Sequence, residues 1–358
     1  MDDKILTRPN QQNENFKFVT ALRGIAALMV ASMHLFAFPN SGGEKVNLLV
    51  RAFLFPTRFG QFAVFLFLAL SGYSLLRSER FRNRVQGKKT KFKTYMKRRI
   101  WRITPVYYFA VLFGTIATFA LRDRIQLPNT PNLTPSGIIS HLLYLHSLNG
   151  QWLMQANPAL WTIAAEMQCY LLLPILIRFK SFKALSLATL ITYASLHLFL
   201  HYTNIGLFSL LPYFLMGIII GQFSLNYKVP NKYLYIALIP TGYFTLTRNF
   251  DKTGRASELL SDALFFTTLF LLCENLEKSE KFTFPNWLMK IGKGSYSLYA
   301  CHYPLAYFTY WIASQITNSY ALQLAYMGLI GIPLILIVTY YIYKFIELPS
   351  LTKVRGIG

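Results

Sequence analysis

The feature that most constrains this chain is a series of apolar runs, each close to the ~20 residues that an α-helix needs to cross a bilayer. Ten are read, at 18–38, 59–77, 103–121, 158–178, 184–201, 205–223, 233–248, 258–275, 296–316 and 321–345. In hydrocarbon every backbone N–H and C=O must be paired within the protein, so runs of this length dictate helices. The predicted fold class is an all-α membrane protein, with about ten transmembrane helices around an interior cavity. One transmembrane domain (18–347) follows a short N-terminal segment (1–17) and precedes a short tail (348–358). Composition agrees: 54% of residues are hydrophobic and 14% charged, against roughly a quarter charged in soluble domains, and the mean hydropathy is +0.35. The first 17 residues are polar and no small-residue cleavage site follows the first run, so that run is expected to stay as a span.

The formal net charge of +22 invites a nucleic-acid reading, but its placement argues otherwise. Twelve of the 36 Lys and Arg lie in "RSERFRNRVQGKKTKFKTYMKRRIWR" (77–102), between two apolar runs. With the N-terminus inside, 27 of the 36 fall on the inner side and 8 on the outer, the asymmetry of cytoplasmic loops. Both termini are therefore read as cytoplasmic, and no nucleic-acid partner is expected. The basic stretch is also a candidate surface for an anionic co-substrate or for anionic headgroups of membrane lipids.

Ionisable residues inside apolar runs are costly and usually functional. "ALRGIAALMVASMHLF" (21–36) holds two, Arg23 and His34. Eleven residues make roughly three helical turns, so both lie on one stripe, roughly 16 Å apart along the axis. A cation at one end and a titratable base at the other suit a long substrate that is anionic at one end and reactive at the other. The bland alternatives are an Arg that snorkels to headgroups and an interfacial His without a task. "ALWTIAAEMQCYLLLP" (159–174) places Glu166 in the fourth run. Counted from the run ends, Glu166 and His34 fall in the same leaflet, where a carboxylate would orient the imidazole and stabilise its charged form. "RRIWRITPVYY" (98–108) puts Arg99 and Arg102 on one helix face, able to grip phosphates bidentately or simply to anchor the helix.

Weaker candidates complete the set. Ser71, Trp161, Tyr299 and His302 are read as a possible substrate pocket, although "ALSGYSLL" (69–76) is more often helix packing. His141, His146, His197 and His201, and His302 too, read as interfacial or packing residues rather than catalysts. Cys169, Cys273 and Cys301 read as small apolar fillers, and no metal site is expected. Asn132 heads a short sequon, "NLT", and no G-x-S-x-G, H-E-x-x-H or Walker loop occurs.

Taken in order, "LRGIAALMVASMHLF", "VFLFLALSGYSLL", "RRIWRITPVYY", "LWTIAAEMQCYLLLP", "FLMGIIIGQF", "IGKGSYSLYACHYPL" and "IELPSL" resemble the acyltransferase 3 family of integral membrane acyltransferases along nearly the whole chain. Two departures stand out. The family often has Trp-Ser and Glu-Glu-Gln-Phe-Tyr in the fourth-run motif; this chain has Trp161-Thr162 and Glu166-Met167-Gln168-Cys169-Tyr170, so a scheme needing two adjacent carboxylates is not supported. Some members append a soluble esterase-like domain, which is not expected here. The resemblance implies a bacterial inner-membrane enzyme. It would transfer an acyl group, usually acetyl, from cytoplasmic acyl-CoA to a hydroxyl of a carbohydrate acceptor, such as a surface polysaccharide or its lipid-linked precursor. Arg99, Arg102 and Arg23 would hold the acyl-CoA phosphates, and His34, with Glu166 and Arg23, would carry the chemistry. His34 would act either as general base in direct transfer or as a nucleophile through an acyl-imidazole. The rival readings are a transporter or flippase and a lipid-binding scaffold. The acyltransferase reading carries a geometry: Arg23 and His34 face one cavity that opens beside Arg99 and Arg102, and Glu166 lies nearer His34 than Arg23.

Overall fold

The computed structural model describes residues 16–39, 48–87, 90–121, 133–176, 206–247, 255–280 and 282–355, with isolated positions 124, 187, 189 and 191. Among these residues every regular element is helical. They are α1 (Lys17–Ala37), α2 (Leu48–Leu54), α3 (Gly60–Gln86), α4 (Phe92–Leu121), α5 (Pro135–Leu142), α6 (Trp161–Leu176), α7 (Gly206–Asn226), α8 (Asn231–Thr247), α9 (Arg255–Lys278), α10 (Asn286–Lys293), α11 (Ser295–Ile316), α12 (Tyr320–Tyr326), α13 (Ile332–Ile342) and α14 (Leu348–Arg355). The last three follow one another through π-helical turns at Met327–Gly331 and Tyr343–Glu347.

Among the described residues, seven helical stretches are long and apolar enough to cross a membrane: Lys17–Ala37, Leu49–Arg80, Phe92–Leu121, Pro158–Leu176, Ser209–Asn226, Leu259–Lys278 and Tyr320–Val354. Two further runs read from sequence also fold as helices but do not meet both conditions. α8 has 17 residues, too few, and α11 has 22 but is too polar, carrying His302 and a series of tyrosines. The polarity of α11 has a physical reason. It sits inside the bundle against α1 and α4, where Ser297 and His302 are buried and find partners on other elements, Glu347 and His34, that lipid would deny them, while Thr309 bonds back to the Leu305 carbonyl of its own helix. The run at 184–201 and the sequon at Asn132 fall outside the described residues, apart from the isolated positions above.

The bundle is held by close backbone approach. α3 packs along α7, where a Cβ on Gly72 would collide with the carbonyl oxygen of Phe214 and one on Gly217 with that of Ala69. These contacts are open only to glycine, as at small-residue helix crossings in membranes. The N-terminus of α1 has no cap of its own; the Glu277 carboxylate on α9 accepts from the backbone N–H of Lys17 (2.8 Å) and Phe18 (2.9 Å). Nearby, a buried Arg77–Glu274 ion pair of 3.1 Å, with Tyr73 OH donating to Glu274 at 2.5 Å, ties α3 to α9.

The chain between α5 and α6 does not stay at the surface. His146, Ser147, Gln155 and Asn157 are buried, and the Asn157 amide donates to the carbonyls of Ala300 (2.9 Å), in the second turn of α11, and Ala110 (3.3 Å), past the middle of α4. Tyr144 and Ala156 take the left-handed backbone conformation, φ 58° and 56°, at the turns this path needs. α6 therefore begins deep in the bundle.

Candidate active site

A cavity of about 660 Å³, its open mouth included, lies among α1, α3, α4, α6, α10, α11 and the turn before α14. Arg23, Ser71, Arg102, Glu166, Tyr170, Lys293, Tyr299 and Glu347 line it. Arg23 reaches from α1 to α3 and donates Nη2 to Ser71 Oγ at 3.2 Å and to Ser74 Oγ at 3.4 Å. Ser71 donates in turn to Glu166 on α6, whose Oε1 also accepts from Tyr170 OH at 2.5 Å, one helical turn away. Behind Tyr170 lies Arg99, buried, with its guanidinium over the rings of Tyr95 (5.8 Å) and Tyr170 (6.0 Å). Glu347 accepts from the Ser297 N–H at 3.1 Å and from its hydroxyl at 2.5 Å. The wall thus sets Arg23, Arg102 and Lys293, with Arg99 behind them, against two carboxylates. The Nε atoms of Arg23 and Arg99 are buried and have no hydrogen-bond partner among the described residues. Such a surplus of positive charge, with donors to spare, fits an anionic ligand.

His34 takes no part in this lining. One carbonyl and one ring on α11 fix its chemistry. His302 Nδ1 lies 2.7 Å from the carbonyl of Tyr299, which only accepts, so Nδ1 carries the proton and Nε2 of the neutral ring is an acceptor. That Nε2 is 3.0 Å from His34 Nδ1, which also lies 3.1 Å from the Val30 carbonyl. Both are acceptors, so His34 Nδ1 is protonated and the lone pair resides on Nε2. No described residue hydrogen-bonds that nitrogen. Tyr299 stands between cavity and histidine pair. Its hydroxyl shares a 2.6 Å hydrogen bond with Thr162, its ring meets Phe67 edge-on at 5.1 Å, and its other side meets His302 at 5.7 Å.

The structure brings Arg23, Ser71, Glu166, Arg102 and Tyr299 together at one cavity, with Arg99 behind it, and pairs His34 with His302. It corrects two expectations. Glu166 does not accompany His34; through Ser71 it shares a network with Arg23. Depth counted from the ends of the apolar runs assumes that α6 starts at the membrane surface, whereas it starts at the level of Ala300, so Glu166 lies deeper by about a turn or more. Arg23 and His34 do not face one cavity either. Both point inward from α1, but Arg23 meets α3 while His34 meets α11. Trp161 packs partly buried against the core and does not line the cavity. Sequence reasoning passed over Tyr170, Thr162, Lys293 and Glu347. Glu347, in "IELPSL", carried the same signal as Glu166, a carboxylate beside an apolar run. No group of three or more His, Cys, Asp or Glu that could hold a metal occurs among the described residues.

A membrane-spanning helical bundle with an arginine-lined cavity and a histidine of fixed tautomer is the setting in which the comparisons fall. The acyltransferase domain of the acyltransferase 3 family matches residues 16–344, and the chain belongs to that family. It is an integral membrane protein by that membership and by its apolar helices. Among curated proteins it is similar to O-acetyltransferase OatA of Staphylococcus aureus strains NCTC 8325, COL and MRSA252, at 28% identity over 326 residues. The alignment covers 80% of this chain and 52% of each relative, so the chain spans about half the length of the curated relatives it matches. No solved structure matches it.

Proposed function

We propose that this protein is a membrane O-acyltransferase that moves an acetyl group from cytoplasmic acetyl-CoA to a hydroxyl of a carbohydrate, a surface polysaccharide or its lipid-linked precursor, in a bacterial inner membrane. The observation that carries the reading is the Tyr299–His302–His34 relay, which leaves one basic imidazole nitrogen inside a membrane bundle beside a cationic cavity. Arg23, Arg99, Arg102 and Lys293 hold the phosphates of the donor. Its pantetheine arm runs toward Tyr299, whose side chain swings away from Thr162 to admit the thioester. His34 Nε2 takes the proton of the acceptor hydroxyl as that oxygen attacks the thioester carbonyl. The C–S bond breaks, and the thiolate recovers the proton from Nε2. The same lone pair serves the covalent route, in which Nε2 itself attacks and an acyl-imidazole passes the acetyl on. Ten spans with both termini cytoplasmic suit this arrangement, because 27 of the 36 Lys and Arg then face the donor's compartment. Membership of an acyltransferase family favours transfer over transport.

The test uses purified protein in lipid nanodiscs with radiolabelled acetyl-CoA. His34→Ala should lose about 10²–10⁴-fold in transfer, the size expected for a removed general base, while still inserting and folding. Near-normal turnover in a folded His34→Ala protein would falsify the assignment. Exchange of label between acetyl-CoA and free CoA without acceptor would select the covalent route.

A further inference from the structure

Beyond His34, away from the cavity, lies a row of aromatic rings that the chemistry above does not use. Tyr303 meets the His34 ring edge-on at 5.2 Å and Phe38 at 5.5 Å. Phe38, just past the end of α1, lies nearly parallel to Tyr310 at 5.7 Å and to Tyr307 at 6.0 Å. Trp311 follows, with the guanidinium of Arg124 over its face at 6.0 Å. Tyr303, Tyr307 and Tyr310 fall at i, i+4 and i+7 on α11 and so share one face. Tyr307 is buried as the floor; Tyr303, Phe38, Tyr310 and Trp311 are partly exposed, and Arg124 is exposed.

We propose that this row is the acceptor subsite, and that it seats an oligosaccharide with one sugar hydroxyl at His34 Nε2. The inference rests on the transferase reading and adds to it where the acceptor binds and how long it must be. Three observations point to a sugar chain. Ring faces carry partial negative charge and attract the polarised C–H faces of pyranose rings. The hydroxyls of Tyr303 and Tyr310 have no hydrogen-bond partner among the described residues. A lipid tail on the row would leave them unpaired, whereas sugar hydroxyls would pair with them. An aromatic belt at the membrane interface is the competing account. Belt residues face lipid singly, but these rings touch one another in succession, nearly parallel at Phe38 and edge-on at Tyr303, as far as the His34 ring. Seven residues of α11 separate Tyr303 from Tyr310, about 10 Å of helix, so the row has room for about two sugar units. It runs away from Tyr299, which leaves the donor side clear.

The probes are N-acetylglucosamine, its β-linked tetramer, cellotetraose and a long-chain alcohol, each offered with acetyl-CoA to the full-length protein in nanodiscs. The wild type is expected to show a lower KM for a tetramer than for the monosaccharide. Tyr310→Leu should raise the tetramer KM about tenfold and erase that advantage, while kcat at saturating tetramer holds and so reports a folded protein. Tyr310→Phe keeps the ring but loses the hydroxyl that pairs with the sugar, and should raise the tetramer KM by about two- to fivefold, less than Tyr310→Leu does. An unchanged tetramer KM in Tyr310→Leu, equal KM values for monosaccharide and tetramers in the wild type, or a preference for the long-chain alcohol overturns the subsite alone. Failure of the wild type to consume the thioester with any acceptor overturns the transferase reading, and the subsite with it.

Discussion

A neutral imidazole has one donor and one acceptor nitrogen, and at His34 the neighbours decide which is which. Removing the acceptor on His302 should therefore act on rate. In His302→Ala the His34 Nδ1–H keeps only the Val30 carbonyl, and the ring is free to turn. We expect kcat to fall about 10²-fold, less than the roughly 10⁴-fold seen when a triad's orienting acid is replaced, because one acceptor remains. His302→Gln restores an acceptor through its side-chain carbonyl and should recover part of the loss, with KM for the donor unmoved in both variants. Equal kcat in wild type and His302→Ala would remove His302 from the relay. His34 and Glu166 were legible in the sequence as candidates because ionisable groups in apolar runs are costly. Their partners were not. A residue's depth on one helix says nothing of which neighbour faces it, so a count of depth pairs Glu166 with His34, whereas it belongs with Ser71 and Arg23. His302, in "YACHYPL", was legible only as a weak pocket candidate.

The position of Ser71 within the network depends on how closely α3 and α7 approach, and two glycines set that approach. A Cβ at Gly217 would fall within contact distance of the Ala69 carbonyl and of the Tyr73 backbone nitrogen, neither of which can turn aside as a side chain would. Gly217→Ala must push the two helices apart, two residues from Ser71 along α3. We expect a stability loss of about 1–3 kcal/mol, read as a lower unfolding midpoint in detergent. A raised KM for the acyl donor should accompany it, because Arg23 and Glu166 lose their shared hydroxyl. An unchanged midpoint would mean that the crossing is looser than the backbone contacts describe. "ALSGYSLL" was legible as a packing patch, since small residues in apolar runs mark close crossings. The deep start of α6 was not legible. It depends on Asn157 pairing with carbonyls more than forty positions away in either direction, which no local pattern reports.

Across the whole molecule, the segment from α5 to α6 acts as a plug. Tyr107 OH donates to the His141 carbonyl at 2.7 Å, Tyr108 OH to that of Leu142 at 2.9 Å, and the Gln168 amide to the Tyr144 carbonyl at 2.7 Å. At its centre the rings of His141 and His146 stack at 3.7 Å, tilted by only 9°, and both residues are fully buried. The sequence shows a long loop here and two unremarkable histidines; only the fold turns them into a buried pair. Burial pushes His141 down to about 4 and His146 down to about 2, the latter helped by the neighbouring His141. Both rings are thus neutral in the folded protein, while in the unfolded chain they take up protons below about pH 6.5. The unfolded state then binds more protons, so stability falls as pH drops from about 6.5 toward 4, by roughly 3 kcal/mol from His141 alone. We expect the unfolding midpoint in detergent to be level above pH 7 and to fall steadily below 6.5. His146→Phe keeps a flat ring against His141 but removes one protonation, and should flatten that slope. Equal slopes in wild type and variant would assign the acid sensitivity to other groups. If the slope does flatten, the plug is the part of the bundle that acid loosens first, and transfer should fail in step with it, because Asn157 and the Tyr144 carbonyl that takes the Gln168 amide seat α6, and with it Glu166, from this segment.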